Sequence, residues 1–327
     1  LLDRSGRDPS FLVGGLPVDF DRSYRLGRGE HFVIEGDEYD CAFFDKRPKF
    51  VHYMPDVAVV GNIEFDHADI YRDLEAVQTA FLRLLNVIPR RGLLLAGTES
   101  PSVLELLPRA HCRIETFGLH EGADWRATEL RPEGDAMRFR LTRGHRDLGE
   151  FVVPLAGAHN VRNALAALAA AAAVGVDPDT LRSPLAAFRG IRRRLEVRGR
   201  VNGVTVYDDF AHHPTAISTT LDGLRRQVGG ARILAVLEPR SNTMRLGVHN
   251  ASLPAALEAA DLVYIHMPDD LGWDAGALFA GLPHVRVFDT TGAIVESVRR
   301  DARPGDHVLV MSNGGFENIH QRLLDAL

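Results

Sequence analysis

The feature that most constrains this chain is an alternation along it. Apolar, β-branched runs of strand length recur, interleaved with segments whose apolar residues repeat at helical spacing. Strands are expected at 31–35, 57–62, 92–96, 112–117, 232–237, 262–266, 285–288 and 307–311. Helices are expected at 73–85, 160–173, 214–227, 254–260, 291–300 and 317–326. A βαβ rhythm of this kind argues for parallel sheets covered by helices, an α/β fold. In such sheets ligands gather at the carboxyl ends of strands, so polar clusters there are the first candidates for function. The stretch 124–155 breaks the rhythm. It alternates apolar and polar residues between glycine-bearing turns and reads as two or three antiparallel strands, a small sheet attached to the first domain. The helical run ends at "FRGIRRR", where a hairpin-like stretch, "EVRGRVNGVTVYDD", begins, so a boundary is expected near 188–191. The domains are then 1–189 and 190–327, a size of roughly 100–200 residues each. No internal repeat is seen, and the alanine run at 164–174 reads as a buried helix.

Composition excludes some partners. With 45% hydrophobic and 25% charged residues the 327-residue chain is ordinary for a globular protein. A net charge of −6 gives no global reason to expect nucleic acid or an anionic membrane, and Arg192–Arg194 is too short a run to change that. No run of about 18 apolar residues occurs, so no spanning helix is expected. The two cysteines, Cys41 and Cys112, form no C-x-x-C pair, and a reducing cytoplasm is the simplest compartment. The opening "LLDRSGRDPSFLVGG" has neither an initiator methionine nor a signal-peptide layout and reads as the tail of a helix already under way, as if the chain began inside a domain.

Six clusters could carry chemistry. "VIEGDEYD" places Glu35, Asp37, Glu38 and Asp40 after a strand, and "GNIEFDHADIY" places Glu64, Asp66, His67 and Asp69 after another. Carboxylates at strand ends suit Mg²⁺, although an acidic turn needs no ion. Zn²⁺ would favour His and Cys, and no H-E-x-x-H is present. "GAHNVRNALAA" puts His159, Asn160 and Asn163 at a helix start. Asn160 and Asn163 share a face there and could meet a heterocycle edge or serve as a polar first turn. "YDDFAHHPTAI" ends a strand with Asp208 and Asp209 and leads through His212, His213 and Pro214 into a helix. These could hold a metal, or orient a ribose and meet phosphate, and local spacing does not choose. "LEPRSNTMRLG" offers Glu238, Arg240, Asn242 and Arg245, with arginine suited to carboxylates. "MSNGGFENIH" offers Ser312, Asn313 and a glycine turn that could cradle an anion.

As an ordered set, "EGDEYD", "GNIEFDHADIY", "GAHNVRNALAA", "FRGIRRRLEVRG" and "YDDFAHHPTAI" resemble the Mur ligase family, ATP-dependent amide-bond ligases of peptidoglycan synthesis. The resemblance implies a central ATP-binding domain, built on a parallel sheet with flanking helices and a small antiparallel sheet, followed by a Rossmann-like α/β domain. "GGLPVDFDRSYRLG", "CAFFDKRPKFVHY", "LEPRSNTMRLG", "LGWD" and "MSNGGFENIH" look most like the recycling branch, which joins L-Ala-γ-D-Glu-meso-diaminopimelate to UDP-N-acetylmuramate through an acyl phosphate. The alanine-adding branch is the alternative within the family. By the same resemblance Glu35 holds Mg²⁺ and His67 a second Mg²⁺, and both, with His212 in a loop over the phosphates, are catalytic. His159, Asn160 and Asn163 lie on the adenine side, Arg194 near the nucleotide and Asp209 on its ribose. Arg240, Asn242 and Asn313 meet the substrate. Small-molecule substrates, ATP and Mg²⁺ are implied, with no nucleic acid or membrane.

The resemblance has a gap. Family members carry a P-loop of G-x-x-G-K-T type ahead of the region where this chain begins, and no such sequence occurs in the 327 residues. The P-loop grips the β and γ phosphates. The expectation is a truncated sequence or degenerate fragment, inactive or nearly so by itself. Two readings outside ligation compete: a metal-dependent hydrolase using His67, His212, His213 and the carboxylates, and a non-catalytic module that holds nucleotide or peptide.

Overall fold

The computed structural model describes residues 1–267 and 271–327. Contacts divide the chain into two units, Leu1–Gly190 and Ile191–Leu327.

The first unit starts with turns over the first six residues, including one helix-like bond from Ser5 N–H to Leu1 O. Three short strands follow, β1 (Ser10–Leu12), β2 (Tyr24–Arg25) and β3 (Phe32–Ile34), in the order β2-β1-β3. The strand expected at 31–35 therefore belongs to this small sheet. A hairpin, β4 (Asp40–Ala42) and β5 (Asp45–Pro48), leads through a 3₁₀ turn, Lys49–His52, to the main sheet. That sheet contains β6 (Val57–Val60), β7 (Leu93–Gly97), β8 (Arg113–Gly118), β9 (Trp125–Glu133), β10 (Ala136–Arg143) and β11 (Arg146–Val153), ordered β11-β10-β9-β8-β7-β6. β6 to β8 run parallel, and β9 to β11 form an antiparallel meander. The meander is continuous with the parallel part through only two registered pairs, Phe117 with Trp125 and Gly118 with Arg126.

β7 shows why this sheet is two-sided. Every residue in it is buried, and alternation sends Leu93 and Leu95 to one core and Leu94 and Ala96 to the other. Helix α1 (Leu74–Val87) covers the Leu94 side. Asp73 caps it by accepting from Ala76 N–H, and Val77, Ala80, Leu84 and Leu85 form its buried stripe. Helix α2 (Pro101–Leu106) lies on the same side and α3 (Ala158–Ala173) on the other, where Val161, Leu165 and Leu168 meet Phe139 and Phe151. The short α4 (Arg182–Ala186) closes the unit.

The second unit opens with the hairpin β12 (Glu196–Val201) and β13 (Val204–Asp209), joined by Asn202 and Gly203 at φ 48° and 79°. Both residues must adopt positive φ to give the turn that matches strand twist, which is why Asn-Gly stands there. The other elements are α5 (Pro214–Val228), β14 (Ile233–Leu237), α6 (Asn242–Arg245), α7 (Leu253–Ala256), β15 (Leu262–His266), α8 (Ala275–Phe279), β16 (Val285–Phe288), α9 (Thr291–Asp301), β17 (His307–Met311) and α10 (Ile319–Ala326). The helix expected at 254–260 shrinks to α7. The sheet order is β12-β13-β17-β14-β15-β16, parallel except for β12. On β14, Ile233, Ala235 and Leu237 face α5, while Leu234 and Val236 face α9 and α10. The parallel strands end on one edge, which gathers Asp208, Asp209, Glu238, His266 and Ser312. No described helix is long and apolar enough to cross a membrane.

Candidate functional site

In the first unit the chemistry collects where β6 stops. The chain turns at 67–71, where His67 sits at φ 55°, a left-handed conformation that is uncommon for a non-glycine residue and often marks functional turns. The turn is pinned by Asp66 Oδ1, which accepts from His67 N–H at 2.7 Å, and by His67 O, which accepts from the N–H groups of Ile70 and Tyr71. The imidazole Nε2 lies 2.5 Å from Glu38 Oε1, and the ring packs on Tyr39 with centroids 4.2 Å apart. Tyr71 donates its hydroxyl to Glu38 O at 2.5 Å. Glu35 is engaged separately: Gly14 N–H donates to its Oε2 at 2.6 Å, and a Cβ on Gly14 would come 3.3 Å from both carboxylate oxygens. The backbone thus cradles the Glu35 carboxylate.

The field of this region is negative. Burial, then Asp69, Asp66, Glu38 and Asp37, push the Tyr39 phenol up to about 12, and burial with Glu38 does the same to Tyr71. Burial alone would lower the pKa of His67, but the Glu38 contact and the charges of Asp66 and Asp69 outweigh it and leave it raised. Oxygen-rich side chains beside an imidazole are the donor chemistry of a hard divalent cation, but no three of their ligand atoms lie together among the described residues, so a bound ion would complete its shell with phosphate and water oxygens.

The residues at α3 have a more local arrangement. Gly157, at φ 95°, precedes the helix. Asn160 Nδ2 donates to Ala156 O at 2.7 Å, and Asn163 Nδ2 donates to Asn160 Oδ1 at 3.4 Å. The two asparagines do share a face, and Asn160 also fastens the helix start. His159 is half-buried in the first turn.

In the second unit, Asp208 and Asp209 are both 3% exposed yet face different partners. Asp209 accepts from Leu195 N–H and Ala211 N–H at 2.8 Å each, and from Thr220 at 3.4 Å. Burial raises its pKa despite those donors. Asp208 lies 3.3 Å from His320 Nε2, 3.4 Å from Arg193 Nε and 3.5 Å from Arg198 Nη1. Burial opposes its ionisation, but His320 and Arg193 prevail and hold its pKa below the ordinary value. Arg193 also donates to Ser312 O at 2.5 Å and Gly314 O at 2.9 Å. Arg194 places its guanidinium 5.5 Å from the Phe210 ring centroid. His212 Nδ1 is 2.9 Å from Phe210 O, and His213 caps α5 by accepting from Thr215 N–H.

The loops after β14 and β17 meet. Ser312 donates its hydroxyl to Glu238 and accepts from Gly314 N–H at 2.9 Å. Arg240 lies 3.7 Å from Glu238 and crosses Gly314 so closely that a Cβ there would fall 2.4 Å from Arg240 Cδ. Asn242 is exposed at the start of α6, and Asn313 has a buried Oδ1 with no hydrogen-bond partner among the described residues. Arg240 and Asn313 therefore flank the Glu238–Ser312 contact.

Sequence reasoning missed Glu38 as the partner of His67, Arg193 as the clasp of the 312–314 turn, and the Glu238–Ser312 bond. Each lies inside a quoted motif, but nothing in an acidic run distinguishes Glu38 from Glu35.

Comparisons with known proteins agree with this architecture. The Mur ligase middle domain family matches residues 21–171, and the Mur ligase, glutamate ligase domain family matches residues 193–314. The chain is 45% identical over 329 residues to the UDP-N-acetylmuramate–L-alanyl-γ-D-glutamyl-meso-2,6-diaminoheptandioate ligase of Escherichia coli K12, covering 100% of this chain and 71% of that protein. It is 32% identical over 342 residues to the UDP-N-acetylmuramate–L-alanine ligase of Desulforapulum autotrophicum, covering 100% of the chain and 72% of that protein. The crystal structure of a murein peptide ligase from Psychrobacter arcticus superposes with a TM-score of 0.74 at 38% identity, covering 99% of this chain and 72% of that one. With both units matched and identity sustained along its whole length, the chain belongs to the Mur ligase family and carries its middle and glutamate ligase domains.

Proposed function

We propose that the chain serves an ATP-dependent, Mg²⁺-assisted ligase of peptidoglycan recycling that joins L-alanyl-γ-D-glutamyl-meso-diaminopimelate to UDP-N-acetylmuramate in the cytoplasm. The single observation that carries this reading is the 45% identity across the whole chain to an Escherichia coli protein named for that reaction, against 32% and 39% to two alanine-adding proteins.

The muramyl carboxylate attacks the γ-phosphorus of ATP, and ADP leaves. The peptide amine then attacks the acyl carbon of the acyl phosphate, phosphate leaves, and an amide bond remains. Positioning and charge neutralisation do most of the work in such transfers. Glu35 and His67 are assigned to Mg²⁺, with Glu38 orienting the imidazole. When bound, the ion neutralises charge on the transferring phosphoryl group. His159, Asn160 and Asn163 are assigned to the adenine, Arg194 and Asp209 to the nucleotide, and His212 to the phosphates. Asp209 already accepts three hydrogen bonds, so a ribose hydroxyl would use its remaining acceptor capacity. Arg240, Asn242 and Asn313 are assigned to the peptide, whose carboxylates suit the guanidinium.

The test measures ADP release with UDP-N-acetylmuramate and either tripeptide or L-alanine. It uses the chain alone and the chain fused to the part of the Escherichia coli relative that the match leaves uncovered. Tripeptide-dependent turnover by the fusion, with little from the chain alone, is the expected result. A preference for alanine would move the assignment to the alanine-adding branch, and no ATP binding by either form would sink the ligase reading.

A further inference from the structure

A second group of donors lies outside the region described above. One ligand atom each from Cys41, Asp45 and His52 lie within 4.8 Å of one another. Cys41 and Asp45 belong to the β4–β5 hairpin and His52 ends the 3₁₀ turn that follows it. We propose that these three side chains bind a borderline-soft divalent ion of the zinc class and that the bound ion braces the hairpin.

The chemistry separates this group from the carboxylate-rich turn at His67. Thiolate, imidazole and carboxylate together suit Zn²⁺, whereas Mg²⁺ takes oxygen ligands. The spacing is nearly right. His52 Nε2 is 3.0 Å from Asp45 Oδ2, close to the ~3.3 Å edge of a tetrahedron with metal–ligand bonds of ~2.0 Å. The remaining separations are at most 4.8 Å, so closing them to the ~3.5 Å expected between a thiolate sulfur and a nitrogen or oxygen ligand takes a shift of no more than about 1.3 Å. Three protein donors leave a fourth position for water.

The surrounding cations are mostly committed. Lys46 pairs with Asp40 at 2.6 Å and Lys49 with Asp37 at 2.8 Å. Arg47 is the competitor: its Nε and Nη2 hold the two Asp45 oxygens at 2.9 and 2.8 Å. The same clamp keeps the Asp45 carboxyl well below the usual range, so it is ionised and needs no proton removed. The 3₁₀ turn is fixed to the unit, since Phe50 is buried and its ring lies 5.3 Å from that of Phe81 on α1. The hairpin tip is not: Phe43 and Phe44 are 93% and 91% exposed. An ion held by Cys41, Asp45 and His52 would tie this tip to the anchored turn.

The experiment is a Co²⁺ titration of the reduced chain in excess Mg²⁺, followed by absorbance, with Zn²⁺ then displacing Co²⁺ and calorimetry giving the Zn²⁺ affinity. A thiolate-to-cobalt charge-transfer band that saturates at one equivalent is expected. Cys41→Ser should abolish the band and weaken Zn²⁺ binding at least a hundredfold, and His52→Ala should weaken it comparably. Cys112→Ser should change neither. Arg47→Gln removes the competitor and should tighten Zn²⁺ several-fold, a gain that a misfolded variant could not give. Absence of the band, its loss in Cys112→Ser rather than Cys41→Ser, or weaker binding in Arg47→Gln would each overturn the proposal.

Discussion

The acids of the two units are used in opposite ways. In the first unit, Glu38, Asp66 and Asp69 lie around His67, and burial, reinforced by acids that include Glu38, pushes the Tyr39 and Tyr71 phenols up to about 12. In the second, Asp208 is ringed by Arg193, Arg198 and His320, Asp209 accepts from two backbone amides, and Glu238 accepts from Ser312. One region keeps negative charge in excess, as a cation site requires. The other engages its carboxylates with cations, a hydroxyl and backbone amides of its own, while Arg240 and Asn313 are the groups suited to a ligand.

Substitutions can break this contrast. The largest effect is expected from Asp209→Ala, which strands the Leu195 and Ala211 amides inside the protein and should cost about 3 kcal/mol of second-unit stability, read from urea unfolding. Next is Glu38→Gln in the first unit. It should lower Mg²⁺ affinity about 10–100-fold by loosening His67, with an unfolding midpoint close to that of the parent; calorimetry with ATP measures it. An equal loss of stability there would erase the distinction between the units. Ser312→Ala deprives buried Glu238 of a donor and should cost about 2 kcal/mol. Gly314→Ala forces Arg240 aside and should raise the KM for tripeptide several-fold while leaving that for ATP unchanged. A change in both would place Arg240 elsewhere than on the peptide.

The smallest effect concerns pH. The folded pKa of Asp208 is held below its ordinary value of 3.8, so the ionised group stabilises the fold above that pH, and the contribution fades as pH falls through the folded value. Urea midpoints between neutral pH and pH ~3 should decline less steeply in Asp208→Asn than in the parent.

Much of this fold is legible in the sequence, for local reasons. Leu93–Gly97 and Ile233–Leu237 are continuous apolar runs because both faces of their sheets are covered there, and Asn202–Gly203 announces its hairpin through φ alone. The three strands at 125–153 are also readable as antiparallel by their alternation. Their continuity with β8 is not, because it rests on two pairings that no local pattern encodes. The site was legible as a set of motifs and illegible as a set of contacts. Arg193 reaches Ser312 and Gly314 across more than a hundred positions, and nothing in the motif around Asp209 announces the amides of Leu195 and Ala211 that donate to it.

The anchoring of two arginines near the boundary sets the length of a tether. Arg189 is bound within the first unit, to Asp19 and Val18 O, and Arg193 within the second, to Asp208 and the 312–314 turn. Four peptide units separate these anchors, a reach of about 14 Å at full extension. The chain on either side of the boundary is therefore ordered from within its own unit, Arg189 by the loop at 18–19 and Arg193 by the turn that follows β17.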